Sequence, residues 1–273
     1  MNNIEDLFSP ASAWPPGAIY AIGIATVAVA LAVVWLFQLR SHNANMVDPV
    51  WSWSLGWLGV LFAAFGSAPP VLRVMLAVLA GVWGFRLGTH LFIRNHRKPE
   101  DGRYARFRRE WGAKADRNLF WFFQFQTVFS ALLSLPFLVV AWRDDLPPAW
   151  AIVAAFAIWI TSVAGEAMAD AQLARFKKDP ANKGKVCRVG LWRYSRHPNY
   201  FFECLHWVTY LFLAVGSGWW WVGLISPAVM AFLLLRLSGI PITEAHMAHD
   251  RPEYADYIRT TSAFIPWFPK KNA

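Results

Sequence analysis

Ionisable residues recur at helical spacing within, or at the ends of, apolar stretches of this sequence. The group consists of Arg86, His90, Arg94, Glu166, Asp170, Glu203, His206, Arg236, Glu244 and His246. Residues three or four positions apart share a helix face, and charges in apolar helices are costly enough that they usually serve a function. The pattern predicts one polar pocket, open to the cytoplasm, whose carboxylates and imidazoles can bind polar groups and exchange protons.

The segment 170–203 is the richest in hydrogen-bond donors. Its basic residues are Arg175, Lys177, Lys178, Lys183, Lys185, Arg188, Arg193 and Arg196. Arg binds phosphate through two parallel hydrogen bonds and Lys acts as a point charge, so the segment suits a ligand with several phosphates. An anionic lipid headgroup fits the same charges. Glu203, soon after His197-Pro198-Asn199, is predicted in the first turns of a helix, where a carboxylate can accept from a nicotinamide carboxamide.

The motifs of the common nucleotide and metal sites do not occur in the chain. It has no GxGxxG, GxxxxGK[ST], HExxH or GxSxG motif, which disfavours Rossmann dehydrogenases, P-loop ATPases and α/β-hydrolases. Its two cysteines, Cys187 and Cys204, form no CxxC pair, and we expect no metal site. Helix ends and loop side chains would have to hold any nucleotide.

The composition indicates a membrane around these residues. Of 273 residues, 56% are hydrophobic and only 16% are charged, which is too apolar for an ordinary soluble protein. The 17 tryptophans suit membrane–water interfaces. Basic cytoplasmic loops account for the net charge of +9, so we expect membrane lipids and no nucleic acid as partners, with the oligomeric state left open.

The apolar segments predict an all-α fold, a polytopic integral membrane bundle of about seven transmembrane helices. The predicted spans are 18–39, 51–68, 71–92, 119–142, 150–165 and two helices within 200–237 that are divided at Gly216-Ser217-Gly218. This count places 22 of the 26 basic residues on one side, which predicts a cytoplasmic C-terminus and an N-terminus outside. We expect one multi-pass membrane domain over 1–273, in a bacterial inner membrane.

Three segments resemble the DUF1295 membrane proteins of the steroid 5-alpha-reductase-like superfamily. They are GLWRYSRHPNY at 190–200, RNHRKPEDGRYARFRREWG at 94–112 and GIPITEAHMAHDRPEYADYIRTTSAFIPWFPK at 239–270. The resemblance covers about 70–270 and implies a reductase-like core with cytoplasmic loops at 94–118 and 171–199. It also implies a site for NADPH that faces the cytoplasm and hydride transfer to an activated carbon–carbon double bond of a lipid-like substrate, such as a steroid, isoprenoid or fatty-acyl chain.

The resemblance carries site residues over to this chain. The implied cofactor-binding residues are Asp170, Arg175, Asn182, Arg188, Tyr194, Arg196, His197, Asn199, Glu203, His246 and Tyr254. Among these, Asn199 and Glu203 are expected to orient the nicotinamide. Glu203, His90 and Tyr104 are the candidate catalytic residues, and His206 and Tyr210 are further candidates for the proton donor that hydride transfer requires.

Three departures from the family pattern bear on the substrate. Phe202 stands where the family usually has Gly, and the predicted second span contains none of the acid that holds the carbonyl of a steroid in related reductases. Leu91 stands where a tyrosine is expected. A 4-ene-3-oxosteroid is therefore disfavoured. Two other functions stay open, an S-adenosylmethionine-dependent enzyme similar to isoprenylcysteine methyltransferases and a non-enzymatic lipid-binding protein.

Overall fold

The computed structural model describes residues 14–251 and 253–270, apart from the side chains at 246 and 248–250. This part of the chain is all-helical, as predicted, with no strand among the described residues. The α-helices are α1 (Pro16–Ser41), α2 (Val47–Phe65), α3 (Pro70–Asn95), α4 (Gly102–Trp111), α5 (Ala115–Trp142), α6 (Ala149–Lys178), α7 (Pro198–Ala214), α8 (Ile225–Phe232), α9 (Ile240–Asp250) and α10 (Tyr254–Thr260).

Five helical segments of the described chain are long and apolar enough to cross a membrane, which indicates a multi-pass membrane protein. They are Pro16–Ser41, Pro70–Asn95, Gly102–Trp142, Ala149–Lys178 and Trp220–Ala245. The 19-residue α2 and the 17-residue α7 correspond to the remaining two predicted spans without being among these five. The count of seven spans and the orientation stay predictions.

The chain divides into two compact units, which we describe separately. Unit 1 is Met1–Pro148 with Leu213–Ser226, and unit 2 is Ala149–Phe212 with Pro227–Ala273. The single domain expected over the whole chain stays a prediction.

Small residues bring α2 and α3 of unit 1 into close contact. A Cβ atom on Gly84 would lie 2.6 Å from the Cα atom of Gly56, and one on Gly59 would collide with the side chain of Ala80. Gly88 likewise leaves room for the indole of Trp53. Apolar helices in a lipid environment associate through such close backbone approach, because burying apolar surface gains little there. The helices α1 and α5 complete this four-helix packing.

Hydrogen bonds fix the polar end of unit 1. The α1–α2 connection contacts the α3–α4 connection, where Asn45 donates to Pro99 O at 2.9 Å and accepts from the Asp101 amide at 2.7 Å. Arg108 on α4 pairs with Glu100 at 2.9 Å and with Asp116 on α5 at 3.3 Å. The predicted cytoplasmic loop at 94–118 is therefore largely helical and tightly bonded.

Unit 2 differs from the sequence expectation mainly in the length of α6. This helix runs on to Lys178, so the first residues of the predicted loop 171–199 form its last turns. After the loop, Trp192 Nε1 donates to Ala169 O at 2.8 Å, and the Leu191 amide donates to Gln172 Oε1 at 2.8 Å. Gly190, with φ of 57°, allows the chain to turn back against α6, since a side chain at this position would collide with Gln172.

The predicted division of the last apolar stretch occurs at the expected tripeptide. The helix α7 ends at Ala214, and Gly216 has a left-handed φ of 89°. A 3-10 turn, Trp220–Leu224, leads into α8, which continues as a π-helical turn, Leu233–Leu237. A π-helical turn widens a helix locally and is frequent near functional sites.

Candidate functional site

The connection into α7 is held in place by the C-terminal part of unit 2. Ser195 Oγ donates to Phe264 O at 2.8 Å and accepts from the His197 amide at 3.1 Å. The Arg196 amide donates to Ser262 O at 2.8 Å, and the hydroxyl of Tyr257 donates to the carbonyls of Trp192 and Ser195. Pro198 then begins the helix, where a missing amide proton costs nothing.

Glu244 on α9 joins two of the predicted cofactor residues. Its Oε1 accepts from Arg196 Nε at 2.7 Å and lies 3.1 Å from His197 Nε2. Arg196 Nη1 also donates to the carbonyls of Ile258 and Thr261. The Arg196 side chain is only 8% exposed, so this pairing provides the charge partner that a buried guanidinium needs. The ring of His197 stacks on Tyr200, with centroids 5.2 Å apart.

Asn199 and Glu203 lie one turn apart on the same face of α7. Asn199 Nδ2 donates to Asp170 Oδ1 on α6 at 3.3 Å. Glu203 is buried and accepts from Trp207 Nε1 at 3.1 Å. Asn199 thus contacts Asp170 on α6 and lies one turn before Glu203 on α7, and the carboxamide site at Asn199 and Glu203 stays a prediction. We call Asp170, Arg196, His197, Asn199, Glu203 and Glu244 the α7-start cluster.

The polar groups continue down α7 beyond the α7-start cluster. His206 Nε2 and the hydroxyl of Tyr210 lie 3.0 Å apart, and both side chains are buried. The stretch from Asn199 to Tyr210 covers about 16 Å of helix. A line of hydrogen-bonding groups thus leads from the start of α7 into the apolar part of unit 2.

The basic segment of unit 2 contains paired and exposed residues. Arg188 pairs with Asp256 at 2.8 Å, donates to Glu253 O at 3.0 Å and lies over the ring of Tyr257. Asn182 donates to Phe176 O in the last turns of α6 at 3.1 Å. The remaining basic side chains of the segment are exposed: Arg175, Lys177, Lys178, Lys183, Lys185 and Arg193.

Two tyrosines of the predicted set pack in the C-terminal part of unit 2. The ring of Tyr194 contacts Phe268, with centroids 6.0 Å apart, and Tyr194 O accepts from the Trp267 amide at 2.9 Å. Tyr254 is buried against Val186, and burial, together with the charge of Glu244, raises the pKa of its hydroxyl. The side chain of His246 lies outside the described residues.

The other catalytic candidates belong to unit 1. The Tyr104 hydroxyl is buried and donates to Asp48 Oδ1 at 2.9 Å, and Arg103 pairs with Asp48 Oδ2 at 2.7 Å. Burial favours the neutral form of Asp101, but the hydrogen bonds and charge of Arg103 outweigh it and lower the pKa of that carboxyl. His90 is half-buried on α3.

The second helix begins earlier than the predicted span 51–68, and the added residues include an acid, Asp48. The helix α2 begins at Val47, before the predicted span, so it contains an acid in its first turn. Hydropathy could not show this, because a charged first turn looks like a loop. The bond from Tyr104 gives this acid a partner that is distant in sequence.

Phe202 has a partner that explains how α7 accepts it. Its ring lies against Gly165 on α6, where a Cβ atom would collide with the Phe202 ring. The bulky residue on α7 is thus matched by a glycine on the facing helix. Spacing alone gives no signal of such a pair, because the two residues are far apart in sequence.

Comparison with known proteins places this geometry in a family context. A family model described as "Protein of unknown function (DUF1295)" matches residues 34–261. Neither the curated proteins nor the solved structures give a significant match to the chain. The family match covers the α7-start cluster entirely.

Proposed function

The chain belongs to the DUF1295 family, and from that premise we propose that it is a membrane reductase of the steroid 5-alpha-reductase-like superfamily. Its reaction is hydride transfer from NADPH to an activated carbon–carbon double bond of a lipid-like substrate. We place the enzyme in a bacterial inner membrane with its cofactor site facing the cytoplasm.

The observation that carries the proposal is the α7-start cluster. In it the amide of Asn199 contacts the carboxylate of Asp170 at 3.3 Å, and a second carboxylate, Glu203, lies one turn further along α7. This donor and acceptor set is complementary to a carboxamide, which offers two N–H donors and one carbonyl acceptor.

The residues of unit 2 fit a phosphorylated nucleotide, with one change to the expected roles. Arg188 and Arg196 already pair with Asp256 and Glu244, so a phosphate would compete with those carboxylates. The exposed lysines of the 171–199 segment, including Lys178 and Lys183, suit phosphates better. We therefore assign Arg196 and His197 to positioning the start of α7.

The cofactor, when bound, supplies the hydride, and the protein must supply the proton. The bonded pair of His206 and Tyr210 is our preferred proton source, because imidazole and phenol groups can donate a proton and both lie further along the same helix as Glu203. Asn199 and Asp170 would hold the carboxamide, and the apolar helices would exclude water from the reacting carbons.

A methyltransferase is the second candidate, and one observation favours it. Because the buried Arg196 and the partly exposed Arg188 are both held by carboxylates, neither guanidinium needs a phosphate as its charge partner. S-adenosylmethionine is such a ligand.

Titration calorimetry of the detergent-solubilised full chain with NADPH, NADH and S-adenosylmethionine tests the proposal. We expect NADPH to bind more tightly than NADH, and Asn199→Ala to weaken both nucleotides. Replacing both Lys178 and Lys183 with Gln should weaken NADPH most, whereas Arg97→Gln, an exposed cation of unit 1, is the matched control. Binding of S-adenosylmethionine alone would replace the reductase with the methyltransferase, and binding of none of the three would refute an enzyme of either class.

A further inference from the structure

The last residues described in unit 2 present large apolar side chains outward. Ile265 is 59% exposed, Trp267 is 70% exposed and Phe268 is 76% exposed. The backbone that carries them is fixed, since the Trp267 amide donates to Tyr194 O and the Lys270 amide to Thr260 O, both at 2.9 Å. We call residues 265–270 the C-terminal segment. A fixed, contiguous group of exposed apolar side chains marks an interaction surface.

The contacts within unit 2 place the C-terminal segment near a membrane boundary. The apolar helix α6 begins at Ala149 and reaches Ala169 after about 30 Å, which is the thickness of a bilayer core. Trp192 donates to Ala169 O, so the connection into α7 lies beside α6 at the level of Ala169. Tyr194, two residues further on, holds the Trp267 amide.

The side chains around the C-terminal segment have the composition of a membrane interface. Trp and Phe are accompanied by the exposed cations Arg193 and Lys270. Aromatic rings favour the headgroup level, and nearby Lys or Arg residues attract anionic lipids. A protein partner would not require this combination of exposed rings, cations and membrane depth.

We propose that the C-terminal segment is an interfacial membrane anchor that recognises an anionic lipid surface. Ile265, Trp267 and Phe268 enter the boundary between headgroups and acyl chains, and Arg193 and Lys270 contact lipid phosphates. This inference is independent of the proposed reductase activity.

The anchor has a consequence for the α7-start cluster. The carbonyls of Thr261 and Ser262 accept from Arg196, and that of Phe264 accepts from Ser195. These carbonyls immediately precede the anchor in the chain. Lipid contact at the anchor thus restrains the backbone that positions Arg196.

Spin labelling of the full chain in nanodiscs tests the anchor. Ile265→Cys is labelled with a nitroxide in a background where the two buried native cysteines, Cys187 and Cys204, are replaced with Ala. Accessibility to oxygen is compared with accessibility to a water-soluble nickel chelate. Val29→Cys, exposed on the apolar α1, is the hydrocarbon reference, and Ala181→Cys, exposed on a turn, is the water reference.

We expect the label at position 265 to lie between the two references, with oxygen accessibility above that of the water reference. A label as accessible to the nickel chelate as the water reference would overturn the anchor. A label shielded from both reagents would also overturn it, in favour of a protein partner.

Thermal unfolding in nanodiscs tests whether Arg193 and Lys270 recognise anionic lipid. Nanodiscs containing phosphatidylglycerol should raise the melting temperature of the wild type relative to phosphatidylcholine alone. Arg193→Ala with Lys270→Ala should remove most of that rise, whereas Arg97→Ala, an exposed cation of unit 1, should retain it. An equal rise in all three proteins would refute recognition of anionic lipid by these cations.

Discussion

Replacing Glu244 with Gln tests whether a buried ion pair organises the start of α7. Removing one partner of a fully buried pair costs about 3–5 kcal/mol. Here Arg196 keeps the carbonyls of Ile258 and Thr261, and the Gln amide oxygen can still accept one hydrogen bond. Glu244 is also 18% exposed, so we expect a loss of about 2 kcal/mol. For a protein of this size that loss lowers the melting temperature by about 4–8 °C.

A double-mutant cycle in a thermal-unfolding assay distinguishes the coupling between Glu244 and Arg196 from a general loss of stability. Glu244→Gln and Arg196→Met are measured singly and together in the same detergent. Because each single change leaves the other group without its main partner, the double variant should lose about 1 kcal/mol less than the sum of the two. Asp256→Asn, which breaks the more exposed ion pairs of Asp256 with Arg188 and Arg259, is the control and should change the melting temperature less than Glu244→Gln does. Additive losses from Glu244→Gln and Arg196→Met would refute the coupling.

Two further predictions concern unit 1. Gly84→Ala should destabilise the protein by about 1–3 kcal/mol, because the added Cβ atom would lie 2.6 Å from the Cα of Gly56, whereas Gly17→Ala, with open space around it, should not; equal melting temperatures for the two variants would contradict the close packing of α2 and α3. Asp101→Asn keeps an acceptor for the Arg103 amide but removes the charge that lowers the pKa of Asp101. A carboxyl whose pKa is lowered by folding stabilises the protein above its ordinary pKa, and this stabilisation is lost as the pH falls through the pKa of the folded state. The variant should therefore melt below the wild type at pH 7, and the difference in melting temperature should disappear as the pH falls below about 4. A difference in melting temperature that is the same at pH 7 and at the lower pH would exclude the charge as its cause.

Hydropathy predicted the helices of this chain well but not all of their ends. A run of apolar residues measures how long a helix can stay in lipid, and not where its backbone hydrogen bonds stop. The last turns of α6 contain Gln172 and Arg175, which are good helix formers in water, so the helix continues to Lys178 past the apolar run. The first turn of α2 with Asp48 was missed for the same reason.

Part of the candidate site could be predicted from the sequence, because Arg196, His197, Asn199 and Glu203 are close together in the chain. The RHPNY segment located the start of α7 and the four-residue interval from Asn199 to Glu203. The pairing of Glu244 with Arg196 and His197 joins positions 47 and 48 residues apart, so local spacing could not reveal it. The pattern named Arg196 as a phosphate ligand, whereas its bonds in unit 2 favour a positioning role.

The bonding along α7 explains how an apolar helix can carry polar chemistry. Trp207 lies four residues after Glu203, and Tyr210 lies four residues after His206, and each pair is hydrogen-bonded across one helical turn. Polar side chains at membrane depth are costly unless they have such partners. This stripe suits a reductase and a methyltransferase equally well, since both require polar groups beside an apolar substrate. The exposed lysines before α7 favour the proposed reductase, because its cofactor carries phosphates whereas S-adenosylmethionine carries none.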